Sequence, residues 1–323
     1  MLGLSNVRLH LHPQTDSARC FAPSNIALVK YWGKRDITLN LPHTGSLSIS
    51  LGNRGTTTSL RISTTPTDSI RLNGKEIAPH ETFYRRLVHF FDRFQSPRRI
   101  FFEVDTHNNI PTAAGLASSA SGFAALVMAM NELFNWQLSL EQQSRLARLG
   151  SGSACRSFWP GFVEWHRGVN ADGSDSFATP VADTWEELRI GLVIVSDQQK
   201  ALGSTEAMIR TTQTSIRYQA WPDTVHQALI DIKQAIAMKN FSRLGEISEA
   251  NALAMHDTML DSIPPIQYCT PETLQQRETV WKLRQQGIPV YFTQDAGPNL
   301  KLLYQTKHDH IIQEAFSMAH LEN

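Results

Sequence analysis

The sequence predicts an α+β protein of two domains. Segments with strand-like and helix-like patterns follow each other irregularly, without the steady alternation of a doubly wound parallel sheet. The 323 residues exceed one ordinary domain of roughly 150 residues, and a polar loop at 170–176 precedes a new apolar segment. We therefore expect an N-terminal domain over residues 1–185 and a C-terminal domain over residues 186–323.

The first part of the chain is predicted to be rich in strands. Residues 46–51 alternate polar and apolar side chains, as a half-buried strand requires, and residues 55–63 are rich in β-branched side chains. Residues 69–72 end at Asn73-Gly74, a dipeptide that strongly favours a hairpin turn. Residues 100–104 have the same strand character.

Helical spacing predicts helices in both halves of the chain. Residues 81–94 carry an apolar stripe at helical spacing, and the largely apolar segment 123–134 is typical of a buried helix. At 139–148, Ser139 stands at the N-cap position, with an acidic residue in the first turn. The C-terminal half is predicted to combine strands at 188–195 and 289–293 with helices at 224–238, 241–255 and 271–286.

The charge balance argues against polyanionic partners. Lys and Arg number 30 and Asp and Glu number 30, so the formal net charge is zero. Proteins that bind nucleic acid or anionic membranes normally carry a basic excess, so we expect neither partner. A small anionic ligand stays open, because a neutral protein can contain a basic pocket. No segment approaches the roughly 20 apolar residues of a membrane span, and the N-terminus lacks signal-peptide features.

The cysteines and histidines do not suggest a metal site. Three widely spaced cysteines, Cys20, Cys155 and Cys269, do not form a disulfide framework, and they favour a reducing cytoplasm. The close histidine pairs lie near the two ends of the chain, and neither has a third ligand at zinc-site spacing. We therefore expect no protein-held metal.

Residues 111–121 are the most informative segment for function. Most of them are small, which lets backbone N–H groups approach an anion, and the following helix presents the positive end of its dipole. Ser118 and Ser119 add hydroxyl groups that suit a phosphate or its magnesium ion. The segment lacks the lysine of a Walker A motif. Composition alone leaves two interpretations open, a phosphate-binding loop or a tightly packed helix start.

The order of these residues, Pro-x-x-x-Gly-Leu-x-Ser-Ser-Ala, resembles the ATP loop of the GHMP kinase superfamily. Within it, the longer string resembles the mevalonate diphosphate decarboxylase family. The other segments that carry the same resemblance are 22–36 (APSNIALVKYWGKRD), 150–157 (GSGSACRS), 195–197 (VSD) with Ser204-Thr205, and 295–299 (DAGPN). Because these motifs span nearly the whole chain in family order, the resemblance is specific.

The resemblance implies a GHMP-kinase-like fold with two halves. The N-terminal half would resemble the second domain of ribosomal protein S5, the C-terminal half would be ferredoxin-like, and the site would lie in the cleft between them. The implied reaction is ATP-dependent decarboxylation of (R)-5-diphosphomevalonate. The C3 hydroxyl takes the γ-phosphoryl group of ATP, and loss of phosphate and CO2 then gives isopentenyl diphosphate. Relatives are often homodimers.

The resemblance also implies the cofactors, ATP and Mg2+, with the metal arriving on the nucleotide. Ser119 would supply the hydroxyl nearest the γ-phosphoryl group. The residues implied to surround ATP are Pro111, Ala113, Ala114, Gly115, Leu116, Ala117, Ser118, Ser119 and Ala120.

Asp295 and Arg156 fit two groups that this reaction requires, a carboxylate near the C3 hydroxyl and a cation for the substrate carboxylate. Asp295 follows an apolar strand and precedes Ala-Gly-Pro, so it would stand on a rigid mount and could accept the C3 hydroxyl proton. Arg156 follows a Gly-Ser loop, and its guanidinium fork suits a carboxylate. Taken without the motifs, Asp295 is an ordinary turn residue and Arg156 a surface arginine.

Lysines would bind the phosphate groups of the substrate and of ATP. Lys30 and Lys34 bracket an aromatic pair, and we expect Lys30 to pair with Asp295 and keep it ionised. The two aromatic residues, Tyr31 and Trp32, would serve equally well in a core. The residues implied to surround the substrate are Tyr31, Trp32, Gly33, Lys34, Ser151, Gly152, Ser153, Ala154, Cys155, Arg156, Thr205 and Met208.

Other residues match the family less closely. Asn251 and His256 lie where the family tends to carry a polar residue and a histidine, and the loose spacing favours a structural role for His256. The loop after Asp197 is less basic than in many relatives. The arginine that relatives direct to the substrate diphosphate from about residues 66–72 has no clear counterpart. Thr67 occupies its place, and Arg71 lies four residues farther along the chain.

The sequence leaves three alternatives to the diphosphate decarboxylase. A decarboxylase of mevalonate 5-phosphate would differ in its cations for the distal phosphate. A kinase of a mevalonate derivative need not retain both Asp295 and Arg156. A non-catalytic binding protein on the same fold should have lost Ser119, Arg156 or Asp295, and all three are present.

Overall fold

The computed structural model describes residues 9–94, 99–110, 118–196, 198, 202–316 and 319–321. Helices and strands are mixed along this described part of the chain, as predicted. The helices are α1 (Thr82–Asp92), α2 (Ser118–Leu133), α3 (Leu140–Gly150), α4 (Ser204–Thr214), α5 (Trp221–Ala237), α6 (Phe241–Leu260), α7 (Pro271–Gln285) and α8 (Asp309–Ala315). The strands are β1 (Ala18–Val29), β2 (Lys34–Asp36), β3 (Leu41–Pro42), β4 (Ser46–Ile62), β5 (Ser69–Leu72), β6 (Lys75–Glu76), β7 (Phe102–Asn108), β8 (Phe162–Trp165), β9 (Ala178–Ala182), β10 (Leu188–Val193), β11 (Val290–Gln294), β12 (Leu300–Gln305) and β13 (Ala319–Leu321).

The N-terminal half is built on one large sheet whose axis is the long strand β4. Strand β1 pairs antiparallel with β4 along one side. On the other side, β8 pairs with the beginning of β4 and β7 with its end. Strands β5 and β6 extend the sheet beyond β7, and β9 extends it beyond β8. Helix α2 packs on β1 and β4, and the apolar faces of α1, α2 and α3 share one core with the sheet.

The C-terminal half contains a second, antiparallel sheet in the order β11-β12-β10-β13. Helices α6 and α7 pack against β11, and α5 packs on α6. Helix α6 also contacts β1 of the first half. One apolar cluster therefore runs through both halves, with side chains such as Leu28, Leu47, Leu244 and Leu303. This shared core brings the end of β1 close to the end of β11, where the residues of greatest chemical interest lie.

Several local predictions are confirmed. The turn at Asn73-Gly74 has positive φ at both residues (51° and 78°) and joins β5 to β6. Ser139 caps α3, because its side chain accepts a hydrogen bond from the Gln142 amide and the Gln142 side chain reciprocates. The strands predicted separately at 46–51 and 55–63 are one continuous strand, β4. The predicted domain boundary at residue 185 falls between β9 and β10 and stays a prediction.

Helix α4 was not predicted, and neither were the short strands β2 and β3. Strand β12 was missed because its residues, Leu300 to Gln305, do not alternate regularly between polar and apolar side chains. They also follow directly on a run of turn-forming residues. Within the described residues, none of the helices combines the length and apolar character needed to cross a membrane.

Candidate active site

A cavity of about 770 Å3 opens between the two halves. The end of β1, helix α1, the start of α2 and the 3-10 turn Gly152–Arg156 line it from the N-terminal half. The start of α4 and the turn after β11 line it from the C-terminal half. Its described lining carries Lys30, Lys34, Arg85, Arg86, Arg93 and Arg156, against Asp295 as its carboxylate. The neutral chain thus concentrates positive charge at one place, which suits an anionic ligand.

Asp295 is held between two buried lysines. Lys30 Nζ lies 2.7 Å from Asp295 Oδ1, so the predicted pair is confirmed. Lys301 Nζ lies 2.9 Å from Oδ2, and each lysine side chain is 2% exposed. Burial alone would raise the pKa of Asp295, but the two ammonium groups outweigh it and hold that pKa far below its usual range. Asp295 is therefore an ionised hydrogen-bond acceptor, with a side chain 35% exposed to the cavity.

The turn that carries Asp295 is fixed from below by buried polar side chains. Gln294 donates to the Gly297 carbonyl at 2.7 Å and accepts from the Arg277 guanidinium. His256 Nε2 lies 3.1 Å from the Asp295 carbonyl. Burial, with the nearby charge of Arg277, lowers the pKa of His256 to about 3, so the ring is neutral. His256 lies outside the cavity lining and supports this turn, in line with the structural role that its sequence position favoured.

Lys30 is in turn fixed by the C-terminal half. Its backbone N–H donates to Asn251 Oδ1 at 2.8 Å, and its ammonium group also donates to the Ala27 carbonyl. Burial lowers the pKa of Lys30 to about 8, although Asp295 opposes the shift. Asn251, whose position matches the family only loosely in sequence, thus fixes the backbone directly after the end of β1.

Arg156 lies inside the protein, 2% exposed, at the wall of the same cavity. Its hydrogen bonds to the described residues all go to neutral oxygens. Nε donates to Ser48 Oγ at 3.0 Å, Nη1 donates to Ser46 Oγ, and Nη2 contacts Asn25 Oδ1 at 3.4 Å. No described carboxylate forms an ion pair with it. A buried cation without a counter-ion is costly, so this guanidinium is prepared for an anion from the cavity.

Serine hydroxyls stand beside these charges. Ser119, near the start of α2, lies 3.3 Å from Ser151 between the two hydroxyl oxygens, and Ser151 lies 3.4 Å from Ser153. The start of α2 is anchored because Ser121 bonds to Ser24 of β1 at 2.9 Å. This helix has no acidic residue in its first turn, so its positive end is available to a phosphate.

The Lys-Tyr-Trp-Gly-Lys segment contributes both lining and core. Tyr31, Trp32 and Lys34 line the cavity, and Trp32 is also part of the core shared by the halves, with its carbonyl accepting from Trp221 Nε1 at 3.0 Å. Gly33 has φ of +98°, and a Cβ there would lie 1.8 Å from Tyr218 Oη. Only glycine fits this position, which sets the direction of Lys34.

Helix α1 supplies cations that the sequence interpretation missed. Arg85, Arg86 and His89 of α1, with the C-cap residue Arg93, recur at helical spacing and line the cavity, while the opposite stripe of α1 packs into the core. No described carboxylate pairs with these three arginines. Burial, with the charge of Arg86, lowers the pKa of Lys34 to about 8. Basic residues alternate with the apolar stripe along 81–94, and this pattern is the sequence signal from which a basic helix face could have been predicted.

The other predicted site residues differ in where they lie. Gly33, Ala154, Cys155 and Ala120 are buried and lie outside the cavity lining, so their contacts with a ligand stay predictions. Arg71, on β5, lines a separate groove on the sheet, and Thr67 lies in the exposed turn before it. Neither residue lines the described cavity. Thr205, Met208, Ser151, Gly152 and Ser153 do line the cavity. The loop residues Pro111, Ala113, Ala114, Gly115, Leu116 and Ala117, together with the Ser118 side chain, lie outside the described part.

Comparisons with known proteins show which family the chain resembles in sequence and fold. Residues 22–178 match the family model described as the diphosphomevalonate decarboxylase-like N-terminal domain, and residues 190–321 match that of the mevalonate 5-diphosphate decarboxylase C-terminal domain. The chain belongs to the diphosphomevalonate decarboxylase family. The two-domain GHMP-kinase-like fold predicted from the motifs is thereby confirmed.

Individual members of the family cover most of the chain. The diphosphomevalonate decarboxylase of Candida albicans is 37% identical over 304 residues, which is 89% of this chain and 84% of that protein. The crystal structure of mevalonate diphosphate decarboxylase from Staphylococcus aureus has a TM-score of 0.87 at 38% identity, covering 93% of this chain and 91% of the other. A structure of MDDEF in complex with MVAPP, AMPPCP and magnesium has a TM-score of 0.85 at 40% identity, covering 93% and 94%.

The described residues fit the two cofactors of the family. The cavity offers the hydroxyl groups of Ser119 and Ser151 and an excess of cations to phosphates. Its carboxylate, Asp295, already pairs with two lysines, and no group of three potential metal ligands occurs among the described residues. That magnesium enters bound to the nucleotide stays a prediction.

Proposed function

We propose that this chain catalyses the ATP-dependent decarboxylation of (R)-5-diphosphomevalonate to isopentenyl diphosphate, CO2, ADP and phosphate. The observation that carries the proposal is the pairing of two features in one cavity. Asp295 is kept ionised by two lysines, and Arg156 is buried there without a described counter-ion. Phosphorylation of a hydroxyl needs the first feature, and recognition of the neighbouring carboxylate needs the second.

The carboxylate of Asp295 accepts a hydrogen bond from the C3 hydroxyl of the substrate and orients its oxygen toward the phosphoryl group. Lys30 keeps that carboxylate ionised and places positive charge beside it. Arg156 binds the substrate carboxylate through its fork and fixes the bond that will break. Lys34 and the cations of α1 attract the diphosphate.

Nucleotide binding is assigned to the start of α2 and the loop before it. Bound ATP supplies the phosphoryl group that turns the C3 oxygen into a leaving group, and Mg2+ offsets the charge of its phosphates. Ser119 donates a hydrogen bond to the transferring group in this proposal, which is supported by its position in the cavity lining beside Ser151. The C3–O bond then breaks and phosphate leaves with the electron pair of that bond. The electrons of the bond between C2 and the carboxylate form the new C2=C3 double bond as CO2 leaves, while Arg156 holds the carboxylate in position.

The alternatives predict different measurements. A decarboxylase of mevalonate 5-phosphate would not need the charge excess along α1, where Arg85, Arg86 and Arg93 face the cavity. That excess favours the diphosphate. A kinase would release ADP without CO2, and a non-catalytic binding protein would release neither.

The direct test incubates the purified chain with ATP, Mg2+ and diphosphomevalonate and follows CO2, ADP and phosphate together. We expect all three in equal amounts and a much lower rate with mevalonate 5-phosphate. Asp295→Asn keeps the shape but removes the charge, and kcat should fall by about 10²- to 10⁴-fold, with ATP binding retained. ADP without CO2 from the wild-type protein would show that the proposed reaction is wrong.

We also propose that the enzyme acts in the cytoplasm as a homodimer, and that each chain consists of an N-terminal domain over residues 1–185 and a C-terminal domain over residues 186–323. Support for the compartment is the spacing of the three cysteines, all present as free thiols. The dimer is inferred from the family. Sedimentation equilibrium would test it, since a single species at the monomer mass of 36.3 kDa would contradict it.

A further inference from the structure

Lys301 is the second lysine on Asp295, and the sequence motifs assign it no role because they end at Asn299. It lies on β12, the strand between β11 and β10, with Thr293 and Leu192 as its cross-strand neighbours. Its side chain is 2% exposed, and its ammonium group lies 2.9 Å from Asp295 Oδ2. Strand β12 therefore carries a lysine to the underside of the catalytic turn.

A lysine at this position is unfavourable for packing. Leu300 and Leu302 point from β12 into the C-terminal core, and the alternation of the strand directs Lys301 to the opposite face. Lysine is almost never fully buried unless it is paired, and Lys30 already neutralises Asp295. Buried ion pairs can often be replaced by apolar residues without loss of stability. Folding stability alone therefore does not account for a second ammonium group here.

The contacts of Lys301 differ from those of Lys30 in a way that suggests a role. Lys30 comes from the N-terminal half and engages Oδ1, whereas Lys301 comes from the C-terminal half and engages Oδ2. When only one carboxylate oxygen is hydrogen-bonded, the carboxylate can rotate about its Cβ–Cγ bond. When both oxygens are bonded to groups on rigid elements, the plane of the carboxylate is fixed. Lys30 lines the cavity, and Lys301 lies outside the lining, so Lys301 reaches a bound substrate only through Asp295.

We propose that Lys301 is a positioning residue that fixes the plane of the Asp295 carboxylate from behind, so that its free lone pairs face the C3 hydroxyl of the substrate. The inference rests on the proposed function. A misplacement of about 1 Å at a reacting group can lower a rate by about 10²-fold, so the second lysine would act on kcat. It would leave substrate affinity unchanged, because it does not contact the ligand.

A double-mutant cycle with Lys301→Met and Asp295→Asn tests the proposal. In the wild-type background, Lys301→Met should lower kcat by about 10- to 100-fold with both KM values changed by less than about threefold. In the Asp295→Asn background, measured by single-turnover CO2 release, the same change should alter the rate by less than about threefold. An equal loss in both backgrounds, a rise in KM alone or an unchanged kcat in the first background would each overturn the proposal.

The acid side of the kcat profile gives a second readout that a structural role would not move. The charged groups around Asp295 are Lys30, Lys301 and, farther away, Arg156, with His256 neutral. Removing Lys301 removes one cause that lowers the pKa of Asp295, so that pKa rises and activity should begin to fall at a higher pH. A loss by the same factor at every pH would contradict the positioning role.

Controls separate this inference from folding and from the proposed function. The unfolding midpoint and ATP affinity of Lys301→Met should match those of the wild-type chain. If that variant does not fold, Lys301→Gln, which keeps a donor of similar length without charge, enters the same cycle under the same criteria. An inactive wild-type protein would contradict the proposed function. An active wild-type protein with unaffected Lys301 variants would contradict this inference alone.

Discussion

Replacing Arg156 by methionine tests the recognition of the substrate carboxylate most directly. Methionine keeps an unbranched apolar stem of similar length and removes the guanidinium. Three of the five N–H groups of the guanidinium face oxygens of Ser46, Ser48 and Asn25. Counting only contacts with the described residues, one N–H group remains on each terminal nitrogen, and we expect these two groups to bind the substrate carboxylate.

The size of the effect follows from that count. A hydrogen bond to a charged group contributes about 1.5–3 kcal/mol, so two such bonds contribute roughly 3–6 kcal/mol. Since about 1.4 kcal/mol corresponds to a tenfold change in rate, kcat/KM for diphosphomevalonate should fall by roughly 10²- to 10⁴-fold in Arg156→Met. Arg156→Lys keeps the charge without the fork, so its kcat/KM should lie between that of the wild-type chain and that of Arg156→Met.

The assay follows CO2 and ADP release at several substrate concentrations and ATP binding by calorimetry. Arg148→Met is the matched control. Arg148 is also fully buried, but its guanidinium donates to the carbonyls of Leu39, Gly173 and Ser176, and it lies outside the cavity lining. That variant should lose stability and keep kcat/KM per folded molecule. A kcat/KM within tenfold of wild type in Arg156→Met would refute the assigned role of Arg156.

Arg86→Met should raise the KM for diphosphomevalonate by about 10-fold or more, because one charge-assisted contact is lost, and should affect mevalonate 5-phosphate less; equal effects on both substrates would exclude a distal-phosphate role. The kcat/KM profile should fall above about pH 8, because Lys30 and Lys34, whose pKa values are each lowered to about 8, are charged below that pH and neutral above it. A flat profile up to pH 10 would contradict this assignment. Gly33→Ala should destabilise the fold by about 1–3 kcal/mol, because the new methyl group would meet Tyr218 Oη at 1.8 Å; an unchanged urea midpoint would show that the segment can shift.

The local parts of the fold were predictable because their signals lie within a few residues. The Asn73-Gly74 turn and the Ser139 cap depend on neighbouring residues only, and both are present. The continuity of β4 was not predictable from its polarity pattern. Gly52, at φ of 56°, interrupts the alternation, while pairing with β1 on one side and with β7 and β8 on the other keeps the strand intact.

The sequence by itself determined which residues to expect in the site, because Lys30, Arg156 and Asp295 each lie in a short, specific motif. The resemblance of these motifs to the family implied the pairing of Lys30 with Asp295, which the structure confirms. Only the tertiary structure decided what surrounds these residues. The count of hydrogen bonds on Arg156 depends on two strands distant in sequence, and Lys301 reaches Asp295 because β11 and β12 are adjacent. Charges act through space in a low-dielectric cleft, so their effect depends on distances that only the folded chain sets.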